Sequence, residues 1–240
     1  MTSTAALARM IDQCDRIVFF GGAGVSTESG IPDFHSADGL YSQTLGRDIS
    51  AEEIVSHSFF TSHPDQFFDY YRRHLVYPAA QPNQAHRALA SLERAGKVSA
   101  VVTQNIDGLH QRAGSHVVWE LHGSIWRNHC VRCSRSYDLD AILSTSSVPY
   151  CECGGVVKPD VVLYEESLDE GVIDGALNAL SQADLLIIGG TSLVVYPAAG
   201  LIRYFHGDHM VLINKEPTPA DRHADLVIHA PIGATLSPWA

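Results

Sequence analysis

The sequence predicts an α/β protein with a Rossmann-like parallel sheet core and a smaller lobe inserted into it. Three observations carry this. Short continuous apolar runs bounded by glycines or other breakers recur along the chain, as strands buried on both faces require. Helical stretches with one apolar face separate them, which is the β-α-β alternation of a parallel sheet. Two segments, 36–80 and 125–157, interrupt the alternation and supply no obvious core strand, so they are assigned to the smaller lobe.

The first run, Arg16-Ile17-Val18-Phe19-Phe20, ends in Gly21-Gly22-Ala23-Gly24 and reads as a buried strand delivering a tight turn. Residues 36–80 are rich in aromatic and helix-forming residues and are expected to be a helical insertion. Asn83 to Ala95 places Ala85, Ala88, Leu89 and Leu92 on one helical face, and Val98 to Thr103 follows as the second strand. Residues 125–157 hold four of the five cysteines. A helix from Leu168 to Ser181 then leads to strands at Asp184 to Ile188, Met210 to Asn214 and Asp225 to His229, five core strands in all. The expected organisation is a core of residues 1–35, 81–124 and 158–240, with 36–80 and 125–157 forming the small lobe. No repeat and no flexible linker is present, so the lobe is inserted and not strung beside the core. A ligand is expected in the cleft between them.

A chain of 240 residues is long enough for a sizeable core. Its formal net charge of −11 opposes adhesion to nucleic acid or an acidic membrane, and tolerates basic partners better. No positively charged leader and no apolar stretch near ~20 residues is seen, and a cytoplasmic location is expected. Five cysteines, four of them clustered, do not make a disulfide framework. Cys130, Cys133, Cys151 and Cys153 form CxxC, a 17-residue spacer and CxC, a donor set that suits tetrahedral zinc. The second half is one residue shorter than the usual CxxC, which leaves both a bound structural zinc and an empty or oxidised site open. Cys14 reads as an ordinary buried thiol.

A strand running into Gly22-Ala23-Gly24-Val25-Ser26 can present backbone N–H groups to a diphosphate, and the glycines permit close approach. The third glycine and the acidic ribose reader of an ordinary dehydrogenase are missing. A purely structural turn fits this motif equally well.

The stretches GAGVSTESGIPDF (22–34), TQNIDGLHQRAG (103–114), ELHGS (120–124), KPDVVLYEE (158–166) and GTSLVVYPAA (190–199) resemble the sirtuins in content and order. The resemblance covers nearly the entire chain and is closest to the short bacterial members. It implies NAD-dependent removal of acyl groups, acetyl by default, from protein lysines, with nicotinamide and an O-acyl-ADP-ribose as co-products. It further implies that Gly22, Ala23, Gly24, Thr27, Asp33, Phe34 and His35 contact NAD, that Gln104, Asn105, Ile106 and Asp107 enclose its nicotinamide ribose and carboxamide, and that Gly190, Thr191, Ser192, Asn214, Lys215 and Ile232 hold the adenosine half. His122 in ELHGS is implied as the general base, with Asn105 beside it. Among 13 histidines only the motif selects His122, and an imidazole titrating near neutrality is suited to taking a hydroxyl proton. Zinc on the four cysteines fits the same pattern.

The acyl-lysine peptide of sirtuins adds a strand along an edge that Val161, Val162, Leu163 and Tyr164 match here. Tyr70 and Arg73, three apart on one helix face, resemble the pair by which some sirtuins hold succinyl or malonyl carboxylates. The same segment, with Phe67, Phe68 and Tyr71, also reads as a packed aromatic face. His35 stands where the family usually has arginine and offers fewer donors. That departure keeps a catalytically weak NAD- or peptide-binding module open, alongside an ADP-ribosyltransferase or NAD hydrolase using the same pocket.

Overall fold

Ser3–Gln13 (α1) leads into Ile17–Gly21 (β1), whose five residues are all buried. Ala51–Ile54 (α2), His57–Ser62 (α3), Pro64–His74 (α4) and Gln84–Arg94 (α5) precede Val98–Thr103 (β2). Next come Leu109–Ala113 (α6), Val118–Glu120 (β3), Gly123–Cys130 (β4), Ser136–Tyr137 (β5), Asp140–Leu143 (α7) and Val157–Val161 (β6). Glu170–Gln182 (α8), Leu185–Gly189 (β7), His209–Ile213 (β8), Leu226–Ile228 (β9) and Ile232–Leu236 (α9) complete the chain. This computed structural model describes residues 3–33 and 49–240.

Six parallel strands form the core sheet in the order β3-β2-β1-β7-β8-β9. Side chains alternate across it as the pleat requires. Ile17 and Phe19 pack with Leu7, Ile11, Ala85 and Leu89 on one face. Val18 and Phe20 pack with Ala176, Leu180, Leu186 and Ile188 on the other. Both faces are dry, which is why these strands read as unbroken apolar runs. The five expected strands are present with ends shifted by no more than one residue. The sixth, β3, was not expected: it is a three-residue edge strand, too short for a periodicity to register.

Three antiparallel strands, β5-β4-β6, make a second sheet. Its Ile125, Val157 and Val161 share one core with Phe59, Phe60, Phe67, Phe68 and Tyr71 of α3 and α4. Helices α2 to α4, from residue 51 on, thus pack against this second sheet. β4 begins at Gly123, two residues before the expected module, and β6 runs across the expected boundary at 157/158. No helix among the described residues is long and apolar enough to cross a membrane.

Between α5 and α6 two imidazoles are sealed in the core. His86 and His110 lie with ring centroids 4.7 Å apart, and His86 Nε2 and both His110 ring nitrogens have no hydrogen-bond partner among the described residues. Burial lowers His86 to about 4 and pushes His110 down as well. Above the ordinary imidazole value of 6.5 both folded and unfolded chains are neutral there. Below it only the unfolded chain accepts the proton, so stability falls as pH drops from about 6.5 to about 4, by up to about 3 kcal/mol through His86. Urea unfolding at pH 7.5 and pH 5 measures the loss, which should shrink in His110→Leu. Equal stability at the two pH values would contradict it.

Candidate active site

The chain winds from β1 outward to β3, then returns and winds from β7 to β9 in the opposite direction. The reversal falls between β1 and β7, and in an open parallel sheet this point leaves a crevice at the carboxyl ends of the strands. The glycine turns that follow these two strands meet there. Gly24 N–H donates to Gly190 O at 2.8 Å. A Cβ on Gly24 would come within 2.8 Å of Gly190 Cα, and one on Gly190, whose φ is +59°, within 2.4 Å of Val25 N. Glycine is needed on both sides so that the two backbones can touch. Thr27 Oγ1 ties the first loop back to Gly24 O at 3.1 Å, and Glu28 Oε1 accepts from Gly233 N–H in α9 at 2.8 Å.

The segment after β2 enters the same crevice. Gln104 Nε2 donates to Thr191 Oγ1 at 3.2 Å, joining the loops after β2 and β7. Asn105 Nδ2 donates to Ser26 Oγ at 3.1 Å, and Ser26 Oγ–H donates to Asp107 Oδ2 at 2.6 Å. The other Asp107 oxygen accepts from Leu109 N–H at 2.9 Å. Burial raises the Asp107 carboxyl above its ordinary range, while the bonds from Ser26 and Leu109 oppose the rise by favouring the carboxylate. Ser26 is 1% exposed and joins two residues that the sequence singled out. It lies inside the glycine motif, yet no sequence pattern signals its pairing with Asp107.

His122 sits between β3 and β4, where the chain leaves the parallel sheet for the small one. Its Nδ1 lies 3.0 Å from Gln104 O. A carbonyl oxygen only accepts, so Nδ1 carries the hydrogen and Nε2 keeps its lone pair. Nε2 has no partner among the described residues and is not sealed from solvent. Burial lowers the His122 pKa below 6.5, with the Gln104 bond opposing, so the ring is a neutral base at physiological pH. Glu120, two residues earlier, is held by Arg127 Nη1 at 2.7 Å, and Arg127 Nε reaches Asp160 on β6 at 2.9 Å.

Gly22, Ala23, Thr191 and Ser192 lie on the two glycine loops, and Ile106 between Asn105 and Asp107. Asn214 follows β8, partly buried, with Nδ2 bonded to Glu216 O at 2.8 Å; Lys215 beside it is exposed. Ile232 is 3% exposed, with its side chain packed against Gly189. Asp33 is half-buried at the end of the described loop, whereas Phe34 and His35 lie outside the described residues.

Val161, Val162, Leu163 and Tyr164 leave β6 beside His122. Val162 N–H donates to His122 O at 3.0 Å, Leu163 N–H to Glu166 Oε2 at 2.9 Å and Tyr164 N–H to Val55 O at 3.0 Å. Tyr164 O accepts from His57 N–H at 3.0 Å, and Val161 O from buried Lys158 Nζ at 2.9 Å. The carbonyl of Val162 is left without a partner among the described residues. Tyr70 and Arg73 line a common cavity of about 460 Å³ with Asp69 and His74, and His122 is not among its walls. The Tyr70 ring is buried and stacked on His74, and Arg73 is exposed and paired with Asp69 at 2.7 Å.

All four clustered cysteine sulfurs lie within 4.8 Å of one another, with Cys130 to Cys153 at 3.4 Å and Cys133 to Cys151 at 3.6 Å. A regular tetrahedron with metal–sulfur bonds of ~2.3 Å has edges of about 3.8 Å, so the donor set fits structural zinc. The short CxC half is accommodated by the turn after it. Cys151 N–H donates to Gly155 O and Gly154 N–H to Cys151 O, each at 2.8 Å, with Gly154 at φ +81°. A Cβ on Gly155 would come within 2.6 Å of Cys130 Sγ. Cys14 is buried apart from this cluster.

Comparison with known proteins agrees with this geometry. The Sir2 family model matches residues 22–197. An NAD-dependent protein deacetylase of Clostridium perfringens is 61% identical over 232 residues, 96% of this chain and 95% of its own. Another, from Cutibacterium acnes, is 59% identical over 231 residues, with the same coverages. A solved Sir2 enzyme has a TM-score of 0.89 at 39% identity, covering 99% of this chain and 96% of its own. A Sir2 complex with a p53 peptide and NAD+ has a TM-score of 0.86 at 38% identity, covering 99% of this chain and 97% of its own. With the glycine loops at the switch point, a neutral imidazole beside them and a four-thiol cluster in the small lobe, the chain belongs to the Sir2 family.

Proposed function

We propose that this protein is an NAD-dependent protein-lysine deacetylase, with His122 as the general base of the reaction. The observation that carries it is the state of that imidazole: Nδ1–H is committed to Gln104 O, and Nε2 is left as a neutral acceptor beside the crevice. The donor set fits NAD. Backbone turns that approach at glycine suit its diphosphate, and the Asp107–Ser26–Asn105 chain supplies polar groups for an amide and ribose hydroxyls. Bound NAD supplies a cationic leaving group on the ribose carbon that the acyl-lysine oxygen attacks. Asn105 and Asp107 orient the ribose and the carboxamide. His122 Nε2 then takes the proton of a ribose hydroxyl, which becomes the acyl acceptor. Asn214, at the carboxyl end of β8, reads the adenosine ribose.

The substrate peptide runs along Val161 to Tyr164. Val162, whose own N–H donates to His122 O, keeps a carbonyl with no partner among the described residues, and this carbonyl accepts the amide N–H of the acyl-lysine side chain. Backbone recognition of this kind selects lysine-bearing segments without naming a target. Acetyl is the default acyl group. A structural zinc on Cys130, Cys133, Cys151 and Cys153 and a cytoplasmic setting complete the reading.

The test is nicotinamide release from NAD, measured with acetyl-, succinyl- and fatty-acyl-lysine peptides and with none. Release that depends on the acetyl peptide supports deacetylation. Release indifferent to every peptide would instead indicate an NAD hydrolase or an ADP-ribosyltransferase.

A further inference from the structure

β4 does more than follow His122. Its residues Ile125 and Trp126 bind two successive carbonyls of the loop that carries Asp107: Ile125 N–H donates to Ile106 O at 3.0 Å, and Trp126 Nε1–H donates to Asp107 O at 2.8 Å. The indole lies directly over Gly108, where a Cβ would come within 2.8 Å of the ring, and Gly108 itself has a φ of +70°. The Arg112 guanidinium lies over the same ring, 5.8 Å from its centroid, and donates to Ala80 O at 2.7 Å. One side chain of the small sheet thus clamps the peptide unit that follows Asp107, while the Asp107 carboxylate is fixed from the opposite side by Ser26.

From this we infer that Trp126 is a positioning residue for the nicotinamide half of NAD. It reaches no reacting atom. It sets the orientation of the Asp107–Gly108 peptide, and with it the carboxylate and the neighbouring Ile106 backbone on which a carboxamide would bind. The indole is 36% exposed, so its position is maintained by these contacts and not by burial in the core. The consequence is selective. The glycine loops and Asn214, which serve the diphosphate and adenosine, are held by bonds that do not involve Trp126. Loss of the indole N–H should weaken recognition of nicotinamide and leave recognition of ADP-ribose intact.

The inference rests on the NAD reading of the crevice, and binding calorimetry separates the two. Wild type and Trp126→Phe are titrated with ADP-ribose, and with a carbocyclic NAD analogue that cannot release nicotinamide, in the presence of acetyl-lysine peptide. Phenylalanine keeps an aromatic side chain at this position and removes the indole N–H. The expected result is an affinity for the analogue about fivefold weaker, as for one neutral hydrogen bond, with ADP-ribose unchanged. Trp126→Ala should weaken the analogue further. Equal losses for both ligands, or no loss for either, would overturn the positioning role. Failure of wild type to bind either ligand would overturn the NAD reading itself.

Discussion

Replacing His122 by alanine is expected to lower the rate of peptide deacetylation by about 10²- to 10⁴-fold, the range that a positioned general base commands. The structure also dictates the pH profile of the wild type. Burial depresses the His122 pKa below 6.5, and the Gln104 carbonyl only partly offsets this. The ring is therefore in its basic form at neutral pH, and the acid limb of kcat/KM should lie below 6.5, with activity lost as pH falls through the folded-state value. Deacetylation followed from pH 5 to 9 by mass spectrometry of the peptide checks both points. An acid limb centred above 7, or an alanine variant with near wild-type turnover, would remove His122 from the role. Because Nδ1 holds a backbone carbonyl, His122→Asn is the better control for folding: its side-chain amide nitrogen, attached to Cγ as Nδ1 is, retains a donor in this position but has no titratable base.

Stripping metal from the four-cysteine cluster should have the other large effect. Two of its sulfurs belong to buried residues, Cys130 and Cys151, which share a core with Ile125, Val157 and the aromatic face of α4. Without a metal, that end of the small sheet is left with four thiols crowded within 4.8 Å of one another. Zinc binding to such sites contributes on the order of 10 kcal/mol at neutral pH, and that energy is realised as folding. A strong chelator or Cys151→Ser is expected to release zinc, lower the thermal midpoint and abolish activity, because β4 carries the chain directly out of His122. Elemental analysis of the dialysed protein, together with circular dichroism melts before and after chelation, measures this. A metal-free protein with an unaltered melt would refute it.

The sequence by itself determined the parallel core, the glycine turns and the candidate chemistry. Strands buried on both faces must be apolar throughout, and a backbone that approaches another within van der Waals contact must be glycine at Gly24 and Gly190. These are local demands and leave local marks. The order of the motifs around His122 was legible for the same reason. Tertiary structure alone decided how these parts combine. Ser26 and Asp107 are 81 residues apart and meet only because β1 and β2 are neighbours, so their hydrogen bond has no signature along the chain. The tautomer of His122 depends on Gln104 O, and the clamp by Trp126 depends on where β4 lies against the Asp107 loop. The short CxC half-site left both a bound zinc and an empty site open by spacing, and with the Gly154–Gly155 turn its sulfurs join the other two within 4.8 Å. Composition and periodicity record what each residue needs from its surroundings, whereas hydrogen-bond partners and charge pairs are chosen by which surfaces the fold brings together.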